Sequence, residues 1–209
     1  MTGTPTGRPS GQQDGLRLAT GHVAVVVGPA DGRRRLLDRL DDATARCAGG
    51  QGGVLLARVT GPLDLVDGLG LRDNLALRTV RLDEGPDGPR WDAALPHLAG
   101  TWPGLAERLD DPARDLSPVD RCRAALLLAG LTGARVVVVD GLTDGLTAAE
   151  RRVVLRSLPA VAAWPAAVLV ADADPAAAVA VADSVLQVAG DGGTRHREPE
   201  LVGAALPGA

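Results

Sequence analysis

Four consecutive valines, Val136 to Val139, constrain the fold of this 209-residue chain more than any other segment. The run is apolar at every position, so a strand formed by it must be covered on both faces. Such coverage is typical of a parallel strand between two layers of helices. Asp140 follows directly and is expected at the carboxyl end of that strand. The segment therefore predicts an α/β domain with a mostly parallel sheet.

The flanking sequence continues the alternation of strands and helices. Val23 to Val27 is a β-branched run that ends at Gly28-Pro29, which predicts a buried strand followed by a turn. Helical spacing of leucines then predicts a helix from about Arg33 to Arg46. Further strands are expected at Val54 to Val59, Ala166 to Ala171 and Ser184 to Val188, with a helix that starts at Pro175 between the last two.

The remaining segments complete the domain organisation. Residues 63–130 are predicted to be mostly helical, with interruptions at several prolines including Pro96, and to form a lobe inserted into a domain of residues 16–190. Thr147 and Glu150 have the spacing of a capping box, which predicts a helix from Thr147 to about Leu158. Residues 1–15 and 191–209 are Gly-rich and polar, so we expect a disordered lead-in and a flexible tail.

Composition narrows the class of protein. All 22 basic residues are arginines, Phe and Tyr are absent, and the net charge of −4 gives no electrostatic basis for nucleic-acid binding. Cys47 and Cys122 lack metal-type spacing, and the three histidines are scattered. No apolar stretch is long enough to cross a bilayer, and no signal peptide is evident. These features favour a cytoplasmic protein.

Three segments resemble the ATP-binding subunits of ABC transporters. Leu116 to Leu146 (LSPVDRCRAALLLAGLTGARVVVVDGLTDGL) follows the family order of signature motif, helix, Walker B strand and D-loop. Gly68 to Leu77 (GLGLRDNLAL) resembles the segment after the Q-loop, and Val168 to Val188 resembles the switch strand and its continuation. The resemblance covers about Leu16 to Gly190. It implies a P-loop NTPase-like three-layer core with an inserted helical lobe and, because the chain between Gly28 and Gly61 is short, a reduced antiparallel β-subdomain.

The same resemblance places the phosphate loop at Gly28. Counting without a gap puts Arg34 on the family's lysine, whereas a one-residue deletion puts Arg33 there. Gly32 lies one position before the glycine that normally precedes the lysine, and Arg34 or Arg35 replaces the hydroxyl residue that holds Mg²⁺. A planar guanidinium is a poor substitute for a compact ammonium enclosed by such a loop.

At the other functional positions of the family, two residues are kept and several are replaced. Asp140 matches the Walker B aspartate and would hold Mg²⁺, and Ser117 matches the signature serine. The replacements are Gly141 for the catalytic glutamate, Ala173 for the switch histidine, Gly61 for the Q-loop glutamine, Pro118 and Val119 for the signature glycines, and Thr147 for the D-loop aspartate. Efficient ATP turnover is not expected, because phosphoryl transfer depends on positioning and electrostatic stabilisation by these groups.

The sequence therefore predicts a degenerate, ATPase-deficient subunit without catalytic residues. ATP and Mg²⁺ are the implied ligands, with affinity reduced or lost. The candidate phosphate-binding residues are Gly28, Gly32, Arg33, Arg34, Arg35 and Ser117, and the candidate metal ligand is Asp140. An alternative for the arginines is a solvated basic cluster offset by neighbouring aspartates.

The implied partners are a membrane-spanning transporter subunit and a second ATP-binding cassette, which would form a homo- or heterodimer with this chain. Such partners would hold the protein peripherally at the inner face of the cell membrane. Two other functions are left open by the sequence: a weakly active ATPase, and a regulatory or scaffold protein that binds no nucleotide.

Overall fold

The computed structural model of the chain describes residues 18–47, 56–60, 65–79, 89–131, 134–163, 166–171 and 175–197. Helices and strands alternate along these residues. The elements are β1 (Val23–Val27), α1 (Ala30–Cys47), β2 (Leu56–Val59), α2 (Leu71–Thr79), α3 (Pro89–Thr101), α4 (Pro103–Ala106), α5 (Pro118–Leu131), β3 (Val136–Val139), α6 (Ala148–Leu155), α7 (Leu158–Ala162), β4 (Ala167–Val170), α8 (Pro175–Val179), β5 (Ser184–Val188) and β6 (Thr194–Arg197). A 3-10 turn, Ala113–Asp115, precedes α5.

The six strands form one sheet in the order β2-β3-β4-β1-β5-β6. All neighbours among the first five are parallel, and β6 pairs antiparallel with β5 at one edge. The predicted α/β fold with a mostly parallel sheet is confirmed. The resemblance also implies a reduced antiparallel β-subdomain between α1 and α2. Among the described residues of that segment, β2 is the one strand, and it pairs parallel with β3 in the main sheet.

The sheet lies between two apolar layers, because successive residues of a strand point to opposite faces. On one face, Val26 of β1 and Val138 of β3 belong to a buried cluster with Leu36 of α1. On the other face, Val25 and Val137 belong to a larger cluster that includes buried side chains of α5, α6 and α7. The core is therefore built in three layers, with the sheet in the middle.

The helix α5 is enclosed along most of its length. Its residues Cys122 and Ala124 to Ala129 are buried, and it contacts β2 as well as α2, α3, α6 and α7. Within the predicted helical lobe, α5 therefore packs in the core beside the sheet, while α2 and α3 pack on α5 and α4 packs on α3. The lobe boundaries near residues 63 and 130 stay a prediction.

The chain after Gly190 departs from the prediction of a flexible tail. Residues 194–197 form β6, and the Gly-rich segment before it is the turn that joins β5 to β6. In that turn Gly192 has a φ of +83°, and the N–H of Gly193 donates to Oδ1 of Asp191 at 2.8 Å. The predicted tail is therefore wrong for residues 191–197. Residues 198–209 and the lead-in 1–15 lie outside the described residues.

Prolines shape two helical segments differently from the prediction. Pro96 lies inside α3 rather than interrupting it. The helix capped by Thr147 ends at Leu155, and a separate helix, α7, begins at Leu158. Pro159 explains the break, because it has no N–H to continue the hydrogen-bond ladder of α6 and fits the first turn of a new helix instead.

Candidate functional site

The parallel strands bring the two main candidate segments to one edge of the sheet. Gly28 follows the last residue of β1, and Asp140 follows the last residue of β3. The strand β4 lies between them. In open α/β sheets, ligands bind outside the carboxyl ends of the strands. This edge is therefore the candidate functional site.

The connection from β1 to α1 is shorter than predicted. The helix begins at Ala30 and not near Arg33, so Gly28 and Pro29 alone separate the strand from the helix. The N–H of Arg33 donates to the carbonyl of Pro29 at 3.0 Å, which closes the first helical turn. Asp31 in that turn is favourable beside the positive end of the helix dipole. Gly32 and Arg33 consequently lie in the helix and not in a loop before it.

Both candidate glycines lie against the end of β5. A Cβ atom on Gly28 would stand 2.3 Å from the carbonyl oxygen of Val188, and one on Gly32 would stand 2.3 Å from that of Ala189. Real Cβ atoms do not approach a backbone oxygen so closely. Glycine is therefore required at both positions by packing, whether or not a phosphate binds there.

The arginine cluster contacts the protein's own backbone. Arg33 Nη1 donates to the carbonyl oxygen of Gly28 at 2.6 Å, and Arg35 Nη1 donates to that of Gly190 at 2.9 Å. One turn further along α1, Arg39 Nη2 donates to the carbonyl oxygen of Gly192. Arg34 lies on the exposed side of the helix. The first turns of α1 are thus held to the β5–β6 turn by guanidinium groups.

Asp140 forms an ion pair at the edge of the sheet. Its N–H donates to the carbonyl of Val59 at 2.9 Å, and its Oδ2 accepts from Arg58 Nη2 at 2.6 Å. The second terminal nitrogen of Arg58 lies 3.0 Å from Oδ2 of Asp41, on α1. The candidate metal ligand is therefore already paired with a cation.

Arg58 and Asp41 were not among the residues predicted from the sequence. The register of β2 and β3 pairs Arg58 with Val138, which places Arg58 diagonally opposite Asp140 on the same face of the sheet. That face is the one covered by α1, so Asp41 comes within reach. The alternation of side chains along a strand would have placed Arg58 and Asp140 on one face, but only with the pairing of β2 and β3 already known.

Solved ATP-binding cassettes of ABC transporters have this architecture. For cbiO1 from Clostridium perfringens, part of the ABC transporter complex cbiONQ, the TM-score is 0.68 at 15% identity, covering 88% of this chain and 80% of that one. For the ADP conformation of MJ1267, an ATP-binding cassette of an ABC transporter, the TM-score is 0.64 at 14% identity, covering 83% of this chain and 79% of that one. For a nucleotide-free ATP-binding cassette from an ABC transporter, the TM-score is 0.64 at 14% identity, covering 88% of this chain and 83% of that one. No protein-family model and no curated protein matches the chain.

The chain has the fold of an ABC transporter ATP-binding cassette. The resemblance predicted from the sequence is thereby confirmed at the level of the fold. Since the solved cassettes are only 14–15% identical to this chain, the similarity concerns the fold and not the individual site residues.

In this cassette fold, Ser117 is the residue before α5. Its Oγ accepts from the N–H of Asp120 at 3.1 Å and donates to Oδ2 of Asp120 at 2.7 Å. This is the geometry of a helix N-cap, in which a side chain satisfies a free N–H of the first turn. The hydroxyl of Ser117 is therefore used within its own chain, and its contact with a nucleotide stays a prediction.

Gly141, which the sequence resemblance aligns with the family's catalytic glutamate, has a left-handed backbone. Its φ is +67°, and a Cβ atom there would stand 3.0 Å from Oδ2 of Asp144. The N–H of Asp144 donates to the carbonyl of Gly141 at 3.1 Å, which closes a tight turn after the Walker B-like strand. This turn favours glycine, because a side chain in the left-handed region is strained.

The other sequence-derived positions of the cassette are not described. Gly61 and Ala173, which match the Q-loop glutamine and the switch histidine, lie outside the described residues. In the part of the chain that is described, no group of three or more His, Cys, Asp or Glu side chains is arranged to hold a metal ion. Nor does any helix there have the length and apolar character needed to cross a membrane.

Proposed function

We propose that this chain is a degenerate ABC-type ATP-binding subunit that does not turn over ATP and acts as a docking partner in a transport complex. The observation that carries the proposal is the two-residue connection between β1 and α1. A phosphate loop works by curling successive backbone N–H groups around the phosphates, with a lysine reaching the β- and γ-phosphates. Gly28 and Pro29 offer a single N–H between strand and helix, since proline has none.

The chemistry of bond cleavage is also poorly supplied at this edge. The chain has no lysine, Gly141 has no side chain to orient a water molecule, and the carboxylate of Asp140 is paired with Arg58. Phosphoryl transfer gains its rate from positioned charges around the transferred group. The loss of several such charges at once favours a non-hydrolysing subunit over a slow ATPase.

Two forms of the proposal differ in whether nucleotide binds. In the first, ATP is held without fast cleavage by the N–H groups of the first turn of α1 and by the exposed guanidinium of Arg34. In the second, the fold is kept as a scaffold and nucleotide is not bound. The contacts of Arg33 and Arg35 with the backbone favour the second form, because they use two of the three guanidinium groups expected to meet phosphate.

The proposed docking surface lies on the helical segment after β2. Val66, in the turn before α2, is 50% exposed, and Leu77, on α2, is 57% exposed. Both side chains belong to one short segment of the chain, and exposed apolar surface is a candidate for a protein contact. We propose that this part of the chain contacts a membrane-spanning subunit at the cytoplasmic face of the membrane, and that a second cassette completes a dimer.

Nucleotide binding and turnover are tested on the purified full chain. Titration with a fluorescent ATP analogue, with and without Mg²⁺, separates the nucleotide-holding form from the scaffold form. We expect no Mg²⁺-dependent release of phosphate in either case. Release that Asp140→Asn abolishes would overturn the proposal in favour of a weakly active ATPase.

Docking is tested by crosslinking in cells that express the chain, followed by identification of the partner. We expect a polytopic membrane protein, and we expect Leu77→Asp to abolish the crosslink. Val153→Asp is the matched control, because Val153 is also an exposed apolar residue (39%) but lies on α6. Equal loss with both variants, or no membrane partner, would contradict the docking role.

A further inference from the structure

Arg58 joins two carboxylates that lie on different elements of the fold. Its Nη2 lies 2.6 Å from Oδ2 of Asp140, and its Nη1 lies 3.0 Å from Oδ2 of Asp41. The side chains of Arg58 and Asp140 are 33% and 30% exposed, so the pair is only partly open to solvent. The guanidinium therefore links β2, the end of β3 and α1.

Arg58 supplies the positive charge of both ion pairs. The guanidinium is charged at neutral pH, because arginine keeps its proton in proteins. One guanidinium of the chain itself thus pairs with two carboxylates.

One atom of Arg58 shows that the contact is held at a cost. Its Nε is buried, and no acceptor among the described residues reaches it. An unsatisfied buried donor is unfavourable by itself. The two ion pairs at the terminal nitrogens must offset this cost, so the side chain is held in place by its contacts with Asp140 and Asp41.

A divalent cation does not fit beside this guanidinium. Mg²⁺ is bound by oxygen ligands in octahedral geometry, and it approaches a carboxylate oxygen closely. The Oδ2 atom of Asp140 already has a positive nitrogen at hydrogen-bond distance, and a second cation there would be repelled. The position after the lysine in the family pattern is also an arginine, which has no oxygen to offer.

We propose that Arg58 takes the place of the divalent cation at Asp140, so that the metal site of the cassette fold has been replaced by a built-in guanidinium. This inference rests on the proposed function only in taking Asp140 as the position of the former metal ligand. It makes a separate claim, because the replacement holds in the absence of any nucleotide. Removing the guanidinium leaves the carboxylates of Asp140 and Asp41 without their shared cation, and carboxylate oxygens are ligands that suit Mg²⁺ and Mn²⁺.

Mn²⁺ binding to the full chain without nucleotide, measured by electron paramagnetic resonance, tests the replacement. We expect no Mn²⁺ binding by the wild type, a single weak site in Arg58→Gln, and loss of that site in Arg58→Gln/Asp140→Asn. Arg72→Gln is the matched control. The side chain of Arg72 is 34% exposed, and it forms a 3.3 Å ion pair with Asp110 instead of Asp140. This variant is expected to behave like the wild type.

The conservative variant Arg58→Lys keeps the positive charge and is expected to exclude Mn²⁺ as the wild type does. Should Arg58→Gln fail to fold, refolding in Mn²⁺ or Mg²⁺ is expected to rescue it, and failure of both ions would overturn the proposal. Mn²⁺ binding by the wild type that is lost in Asp140→Asn would also overturn it, as would a folded Arg58→Gln that binds no Mn²⁺. Phosphate release by the wild type would instead contradict the proposed function alone.

Discussion

Gly32 of α1 lies directly against Ala189 at the end of β5, so that a Cβ atom at position 32 would stand 2.3 Å from the carbonyl oxygen of Ala189. This contact sets the distance between the first turn of α1 and the end of β5. A glycine that resembles part of a phosphate loop is therefore required here for a different reason, the close approach of two backbones.

This contact predicts a large difference between two helical glycines. Gly32→Ala forces the backbone of α1 or β5 to move and is expected to lower the free energy of unfolding by about 1–3 kcal/mol, the usual range for overpacking. Gly100→Ala, in α3, has open space at its Cβ position and is expected to be neutral or to stabilise by up to about 1 kcal/mol. Urea unfolding of both variants measures the difference. Equal effects would show that the Gly32 contact is not tight.

Much of the sheet could be predicted from the sequence, because its strands are continuous apolar runs. Val23 to Val27 and Ser184 to Val188 are strands with the expected bounds, and the strand Val136 to Val139 has Asp140 at its carboxyl end, as expected. Burial on both faces leaves a strong signal in short segments of this kind. The strand order could not be obtained in the same way, since it depends on contacts between distant segments.

The site itself was predicted less well, for two physical reasons. The predicted start of α1, near Arg33, is too late, because the resemblance implies a phosphate loop after Gly28, whereas the helix already begins at Ala30. The partner of Asp140 was missed, because Arg58 reaches it through the pairing of β2 with β3. The first error concerns local structure, and the second concerns tertiary register.

The capping box at the start of α6, which the sequence predicts, is expected to stabilise the fold. Thr147 Oγ1 accepts from the N–H of Glu150 at 3.3 Å, and Oε2 of Glu150 accepts from the N–H of Thr147 at 2.9 Å. Thr147→Ala removes the side-chain cap and is expected to lower the free energy of unfolding by about 0.5–2 kcal/mol. Thr147→Ser keeps the hydroxyl and is the matched control, expected to stay near the wild type. Thermal unfolding compares the three proteins.

The same capping box predicts a dependence on pH. The side-chain hydrogen bond from Thr147, followed by the bond from its backbone N–H, lowers the pKa of Glu150. A carboxyl whose pKa is lowered in the folded state stabilises the fold above its unfolded pKa, and this contribution is lost as the pH falls through the folded pKa. The stability difference between wild type and Thr147→Ala is therefore expected to shrink on acidification below the ordinary Glu pKa. A difference that stays constant over that range would contradict the role of Glu150.

Placing a glutamate directly after Asp140, as Gly141→Glu, is expected to lower the stability and to produce no ATPase activity. Gly141 and Gly145 both have a left-handed backbone, with φ of +67° and +81°, so either Glu substitution is strained by about 1–2 kcal/mol. Only Gly141 has Asp144 beside its Cβ position, at 3.0 Å, whereas Gly145 has open space. We expect Gly141→Glu to be less stable than Gly145→Glu in urea unfolding, with the difference reduced by salt. A Gly141→Glu variant as stable as the control, or one that releases phosphate from ATP, would contradict this account of the turn.

Cys122 ties α5 to the chain that follows Asp140, and its reactivity reports on that contact. Its side chain is buried, with Sγ 3.3 Å from the carbonyl oxygen of Leu142, and burial raises the pKa of the thiol to about 11. Since the thiolate is the reactive form, about a thousandth of the thiol is reactive at pH 8 even when a reagent can reach it. In a Cys47→Ser background, we expect Cys122 to react with a disulfide reagent at least about a hundredfold more slowly in the native protein than in urea, with a rate that rises with pH. The double variant Cys47→Ser/Cys122→Ser supplies the blank. Native labelling as fast as labelling in urea would mean that α5 does not enclose this thiol and that the packing between α5 and the Asp140 edge opens readily.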